Sequence, residues 1–91
     1  MPRPGPLSSL ASALGAFDLL LLAARIPATA FGLGWAVVAA ALIASPTTMV
    51  CAVVARVHEG DPASRRAADR AVLHAGGSLA LQLLLLLVLG P

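Results

Sequence analysis

Residues 30–57 read AFGLGWAVVAAALIASPTTMVCAVVARV, twenty-eight positions with one charged residue, Arg56. As one continuous helix they extend ~42 Å at 1.5 Å per residue, more than the ~30 Å hydrocarbon core of a bilayer. This length and apolarity predict a membrane-crossing helix that tilts, kinks or projects beyond the membrane. Ser45-Pro46-Thr47-Thr48 marks the kink, because Pro46 lacks the N–H of its helix bond and the neighbouring hydroxyls can serve freed carbonyls. Division at Pro46 into two half-helices is the weaker alternative, since such short pieces would not span and would need burial in other protein.

Two further apolar segments flank it. Residues 7–26 follow Met1-Pro2-Arg3-Pro4-Gly5-Pro6, whose three prolines exclude a helix. Ser8 or Ser9 is the expected N-cap, and Ile26-Pro27 is expected to stop or kink the helix, with Arg25 snorkelling at its end. A secretory signal peptide is the rival reading, with Ala28-Thr29-Ala30 as cleavage site; Asp18 within the apolar run and the nearby Arg25 oppose it. After residues 58–66, a charged loop, Asp61-Pro62 reads as N-cap and N1 of a third helix over 62–89, with Gly60 closing the second. Its first turns are polar and interfacial, and the rest is apolar.

The composition agrees with a single all-α membrane domain over residues 1–91. Of these, 59% are hydrophobic and 11% charged, far below the roughly one quarter charged in soluble domains. Disorder needs low hydrophobicity, and a porin-like barrel needs aromatic girdles that three aromatic residues cannot supply. Seven of the ten charges lie between Arg56 and Arg70. Arg56, Arg65, Arg66 and Arg70 are the candidate lipid-headgroup contacts, and with Arg3 they oppose Arg25 alone across three crossings. That asymmetry predicts a cytoplasmic N-terminus and 58–70 loop, with the C-terminus outside. No stacking aromatics accompany the arginines, so nucleic acid is not an expected partner.

Polar residues at membrane depth are the candidate site. Asp18 lies about twelve residues into the first segment, where a charge costs at least ~2.5 kcal/mol on insertion scales. Gln82 lies at similar depth in the parallel third helix, and Ser45, Thr47 and Thr48 lie at the centre of the antiparallel second. Three readings of Asp18 stand side by side: member of a proton or cation relay, hydrogen-bonded tie between helices, or partner of a basic residue in another subunit. Gly32, Ala36, Ala40, Ala44, Thr48 and Ala52 recur every four residues as a small-residue packing seam, whereas residues 83–89, nearly all Leu, suit lipid.

Nothing in the sequence suggests catalysis. His58 and His74 read as interfacial histidines, Cys51 as a small hydrophobe, and Gly76-Gly77 as a packing notch. No metal-ligand cluster, cofactor motif, Ser–His–Asp set or paired carboxylate is present.

The stretch from Arg56 through Gly60-Asp61-Pro62 to Ala68-Asp69-Arg70-Ala71-Val72 resembles the F-type small subunits of multisubunit monovalent cation/proton antiporters, where a Gly-Pro turn leads to an Asp-Arg pair opening an apolar helix. Gly77-Ser78-Leu79-Ala80 would continue that helix. Leu14-Gly15-Ala16-Phe17, Arg25-Ile26-Pro27 and Ala44-Ser45-Pro46 resemble parts of the companion G-type subunit. His74-Ala75 stands where a second Asp is usual in the F-type pattern, and the G-type Pro-Asp and Arg-Leu-His-Ala run is missing. The resemblance, which extends to membrane-bound hydrogenase modules, implies a three-helix subunit of a proton- and cation-conducting assembly.

The expected function is therefore that of a small non-catalytic subunit of a larger ion-translocating complex in a prokaryotic inner membrane, docked on larger subunits with Asp18 in an ion path. A structural or assembly subunit of a respiratory or other energy-converting complex is the alternative, and a self-assembling small transporter or pore is the third.

Overall fold

The computed structural model describes residues 5–90, so the expectations for Arg3 and the rest of the proline-rich start lie outside the described residues. Three α-helices follow one another: α1 Pro6–Ala30, α2 Gly34–His58 and α3 Pro62–Leu89. All three are long and apolar enough to cross a membrane. They pack side by side, each against both others, into a bundle 43 Å long.

The packing is inside-out relative to a soluble bundle. The buried apolar side chains are Val38 and eight alanines, while bulky Leu20, Ile43, Val57, Leu73 and Leu87 are each at least two-thirds exposed. Water would make such a surface prohibitive, whereas lipid tails make it ordinary. With alanine at the contacts the helices approach closely, and association rests on packing and interhelical hydrogen bonds. Ala11, Ala52, Ala55, Ala68 and Ala71 form the central cluster.

Both internal prolines are absorbed without ending their helices, so α1 runs on past Ile26-Pro27 to Ala30, and α2 is continuous through Pro46. Each is followed by threonines that bond back one turn. Thr29 Oγ1 donates to the Arg25 carbonyl at 2.8 Å. Thr47 Oγ1 donates to the Ile43 carbonyl at 2.7 Å, and Thr48 Oγ1 lies 2.9 Å from the Ala44 carbonyl. These hydroxyls serve carbonyls beside the gap that each proline ring opens in the ladder.

Helix ends differ from expectation where tertiary contacts supply the caps. N-cap of α1 is Gly5, with Pro6 at N1, and not Ser8 or Ser9. Its orphan donors are served from other elements: the Ser8 N–H donates to Glu59 Oε1 at 2.9 Å and the Gly5 N–H to Ser64 Oγ at 2.9 Å. Glu59, the extended C-cap of α2, thus places a carboxylate at the positive end of α1. At the α1–α2 turn, Gly32 takes a left-handed φ of 74°. Its N–H donates to the Thr29 carbonyl at 3.1 Å and that of Leu33 to the Ala28 carbonyl at 2.7 Å, the paired bonds of a Schellman motif.

Asp61 and Pro62 do open α3 as N-cap and N1. The Asp61 carboxyl is held below its ordinary value of 3.8, first by the Ser64 hydroxyl and then by the Ser64 N–H. A lowered folded value means that this cap is fully effective above 3.8 and is lost as pH falls through the lowered value. Following the Ser64 amide resonance from about pH 5 to about pH 2 should give a midpoint below 3.8, absent in Asp61→Asn. A midpoint at or above the ordinary value would mean that the cap does not form.

A polar layer inside the apolar bundle

Asp18 sits midway along α1, where the bundle crosses α2 at Thr48. The carboxyl is 1% exposed, and Thr48 Oγ1 donates to Asp18 Oδ2 at 2.8 Å. The same hydroxyl lies 2.9 Å from the Ala44 carbonyl. It carries one proton and can donate to only one of these acceptors at a time. Among the described residues, Asp18 Oδ1 has no partner.

Ser45, one turn from Thr48 on α2, is fully buried and its hydroxyl is unpartnered. Gln82 on α3 is fully buried with both side-chain atoms unpartnered. Ser78, one turn before Gln82 on the same face, is 2% exposed and only 3.5 Å from the Ala75 carbonyl. Buried polar atoms are normally satisfied, so donors and acceptors left open on three helices are the unusual feature of this molecule. Of the expected layer, Asp18, Ser45, Thr48 and Gln82 are interior. Thr47 is not: it is exposed and, with Pro46, Val50 and Cys51, lines an open depression of about 400 Å³ on the outer face of α2. Ser78 is the member that sequence reading missed, although its i, i+4 spacing from Gln82 was available as a signal.

The small-residue seam is redrawn by helix geometry. A strict four-residue repeat advances 400° per step and drifts 40° around the helix each time, so it cannot stay on one face over six positions. The buried row of α2 is instead Gly34, Val38, Ala41, Ser45, Thr48, Ala52 and Ala55, alternating steps of four and three. Thr48 and Ala52 belong to it; Ala36, Ala40 and Ala44 are half-buried beside it, and Gly32 lies in the turn.

Arg25 also departs from expectation, since it does not snorkel. It is fully buried; one guanidinium nitrogen donates to the Gly90 carbonyl at 2.6 Å and another to the Thr29 hydroxyl. The parallel α3 ends beside it, and a cation satisfies a carbonyl at the negative end of that helix. At the opposite end Arg56 pairs with Asp69 at 2.9 Å, both side chains about half exposed, a contact worth ~0–1 kcal/mol. Arg65, Arg66 and Arg70 are exposed on the first turns of α3. His58 is exposed at the end of α2, and His74 is half-buried in α3. Among the described residues, no three His, Cys, Asp or Glu side chains gather into a possible metal site.

No family model, curated protein or solved structure matches this chain. The functional reading therefore rests on the polar layer, the apolar exterior and the distribution of charge.

Proposed function

We propose that the chain is a small non-catalytic membrane subunit of a larger proton- or cation-translocating complex, with the Asp18 carboxyl as a proton-carrying group. The observation that carries this reading is an almost wholly buried carboxyl at mid-bundle with one oxygen on a hydroxyl and the other open. An acid kept at membrane depth is costly and, by default, functional.

The Thr48 hydroxyl fits either protonation state. With Asp18 ionised, the hydroxyl donates to it at the observed 2.8 Å. With Asp18 protonated, the acid donates to Thr48 and the hydroxyl turns to the Ala44 carbonyl, 2.9 Å away. Rotation about one bond accommodates gain and loss of the proton, which is what a relay member requires. Gln82, Ser45 and Ser78 offer further groups along the same layer. Arg56, Arg65, Arg66 and Arg70 gather at the end of the bundle opposite Arg25, in keeping with a cytoplasmic N-terminus and 58–70 loop in a prokaryotic inner membrane. Resemblance to the antiporter subunits around Asp69-Arg70 points the same way.

A second reading is favoured by the same hydrogen bond. If Asp18–Thr48 only ties α1 to α2, the chain is a structural or assembly subunit. Native mass spectrometry of the tagged chain, extracted from its own membrane in mild detergent, tests the shared claim. Co-purification with large polytopic subunits is expected and identifies the machinery by mass. A homo-oligomer alone would overturn both readings in favour of a self-assembling transporter or pore.

A further inference from the structure

Between the first turns of α1 and α3 lies a cavity of about 370 Å³, lined by Ser9, Ser12, Ala63, Arg66, Ala67 and Arg70. For scale, one water occupies ~30 Å³ of the liquid. The charges around it are unevenly committed. Glu59 accepts from the Ser8 N–H, Asp61 from Ser64, and Asp69 from Arg56. Each acid at this end thus has at least one partner, although Glu59 Oε2 is buried without one, and Arg66 and Arg70 form no ion pair or hydrogen bond among the described residues. They stand one turn apart, and both face the cavity. Arg65, also exposed, does not line it.

We propose that this cavity is a binding site for the phosphate of an anionic phospholipid, held by Arg66 and Arg70 with the Ser12 hydroxyl. Arginine's planar fork suits phosphate oxygens, and basic pockets between membrane helices are the usual setting for anionic headgroups. Arg66 lies ~6 Å along α3 from its start, at the edge of a ~30 Å hydrocarbon core centred on the 43 Å bundle, and Arg70, at ~12 Å, lies one turn further in, from where its long side chain can reach back to the headgroups. The surface leading inward from the cavity fits the rest of a lipid. Ala16 lies seven residues from Ser9 and Gly77 eleven from Arg66, each within about 20° of the same helix face. Both are exposed, and nothing lies within 4 Å of where a Gly77 side chain would begin. An apolar track of exposed surface thus continues toward the membrane centre, with Leu73 on the same helix face as Arg66 and Leu81 further in beside it, where an acyl chain can lie. Free inorganic phosphate shares the headgroup chemistry but has no use for that track.

The test is lipid retention, with the full chain reconstituted into nanodiscs of phosphatidylglycerol and phosphatidylcholine, re-extracted, and weighed by native mass spectrometry. Wild type should keep phosphatidylglycerol preferentially. R66Q/R70Q should lower that preference at least about tenfold, whereas R65Q should leave it within about twofold. Helical circular dichroism checks that the variants fold; should the double variant fail, R66Q and R70Q singly should each show a partial loss. Equal retention by R66Q/R70Q and wild type would overturn the site. Equal loss in R65Q would reduce it to diffuse surface attraction. Thermal stabilisation of lipid-stripped protein by inorganic phosphate, abolished in R66Q/R70Q and without lipid preference, would reassign it to a free anion.

Discussion

Gly15→Leu is expected to break the bundle. A Cβ at Gly15 would already stand 3.2 Å from the Ala71 Cα and 3.3 Å from the His74 Cβ. The first of these belongs to backbone and cannot swing aside, so a branched side chain must push α1 off α3. Overpacking of this kind costs ~3 kcal/mol at the upper end of its usual range, a large share of the stability of so small a bundle. Gly15→Ala should be close to neutral, because ~1 kcal/mol of helix propensity offsets a shift of a few tenths of an ångström. Unfolding in mixed micelles by SDS titration measures both. Equal stability of Gly15→Leu and wild type would mean that α1 and α3 do not meet at this position.

Asp18→Asn separates transport from structure. Asparagine keeps the size of the side chain and an oxygen that accepts from Thr48, so bundle stability should change by ~1 kcal/mol or less. It cannot take up or release a proton. If Asp18 has the proposed proton-carrying role, proton-driven flux through the assembled complex should fall about a hundredfold or more, the lower end of what a positioned proton-transfer group contributes. Gln82→Met is the companion variant. It removes two buried unpartnered polar atoms, and ~1–3 kcal/mol of added stability is expected if nothing else occupies the layer. Flux measured in proteoliposomes, beside SDS unfolding, reads both quantities. Full flux in Asp18→Asn with intact assembly would remove Asp18 from the ion path and leave the tie between α1 and α2. Loss of assembly would show that even its stability role depends on the charge.

Much of the bundle could be read from local pattern. The α3 boundaries follow from Asp61-Pro62 at one end and Gly90 at the other, because N-caps and proline at N1 act within a few residues. The central position of Asp18 and Gln82 follows from counting residues at a fixed rise. Expectation failed at turns and proline sites where local bonds took an unforeseen form, and at a helix end whose deciding partner lay far along the chain. Ile26-Pro27 reads as a stop or a kink, and the stop is excluded: α1 continues to Ala30 with Thr29 bonded back to the Arg25 carbonyl. Ser8 and Ser9 are good local N-caps, yet the donor at Ser8 goes to Glu59, fifty-one residues on. Gly32 resembles the first member of a seam, but its left-handed φ makes it the turn.

The sequence alone determined that this protein has three helices of membrane length and that charge collects around the 58–70 loop, because hydropathy and helix rise are local quantities. Tertiary structure decided which side chains face one another. It turned Arg25 inward to the end of α3, moved Thr47 out of the polar layer, brought Ser78 into it, and set the Asp18 carboxyl on the Thr48 hydroxyl. It also left Arg66 and Arg70 facing a cavity while Arg56 was spent on Asp69. The physical reason is rotation about the helix axis. In an apolar, alanine-rich chain many faces look alike, and only close packing of all three helices selects the one that each buries.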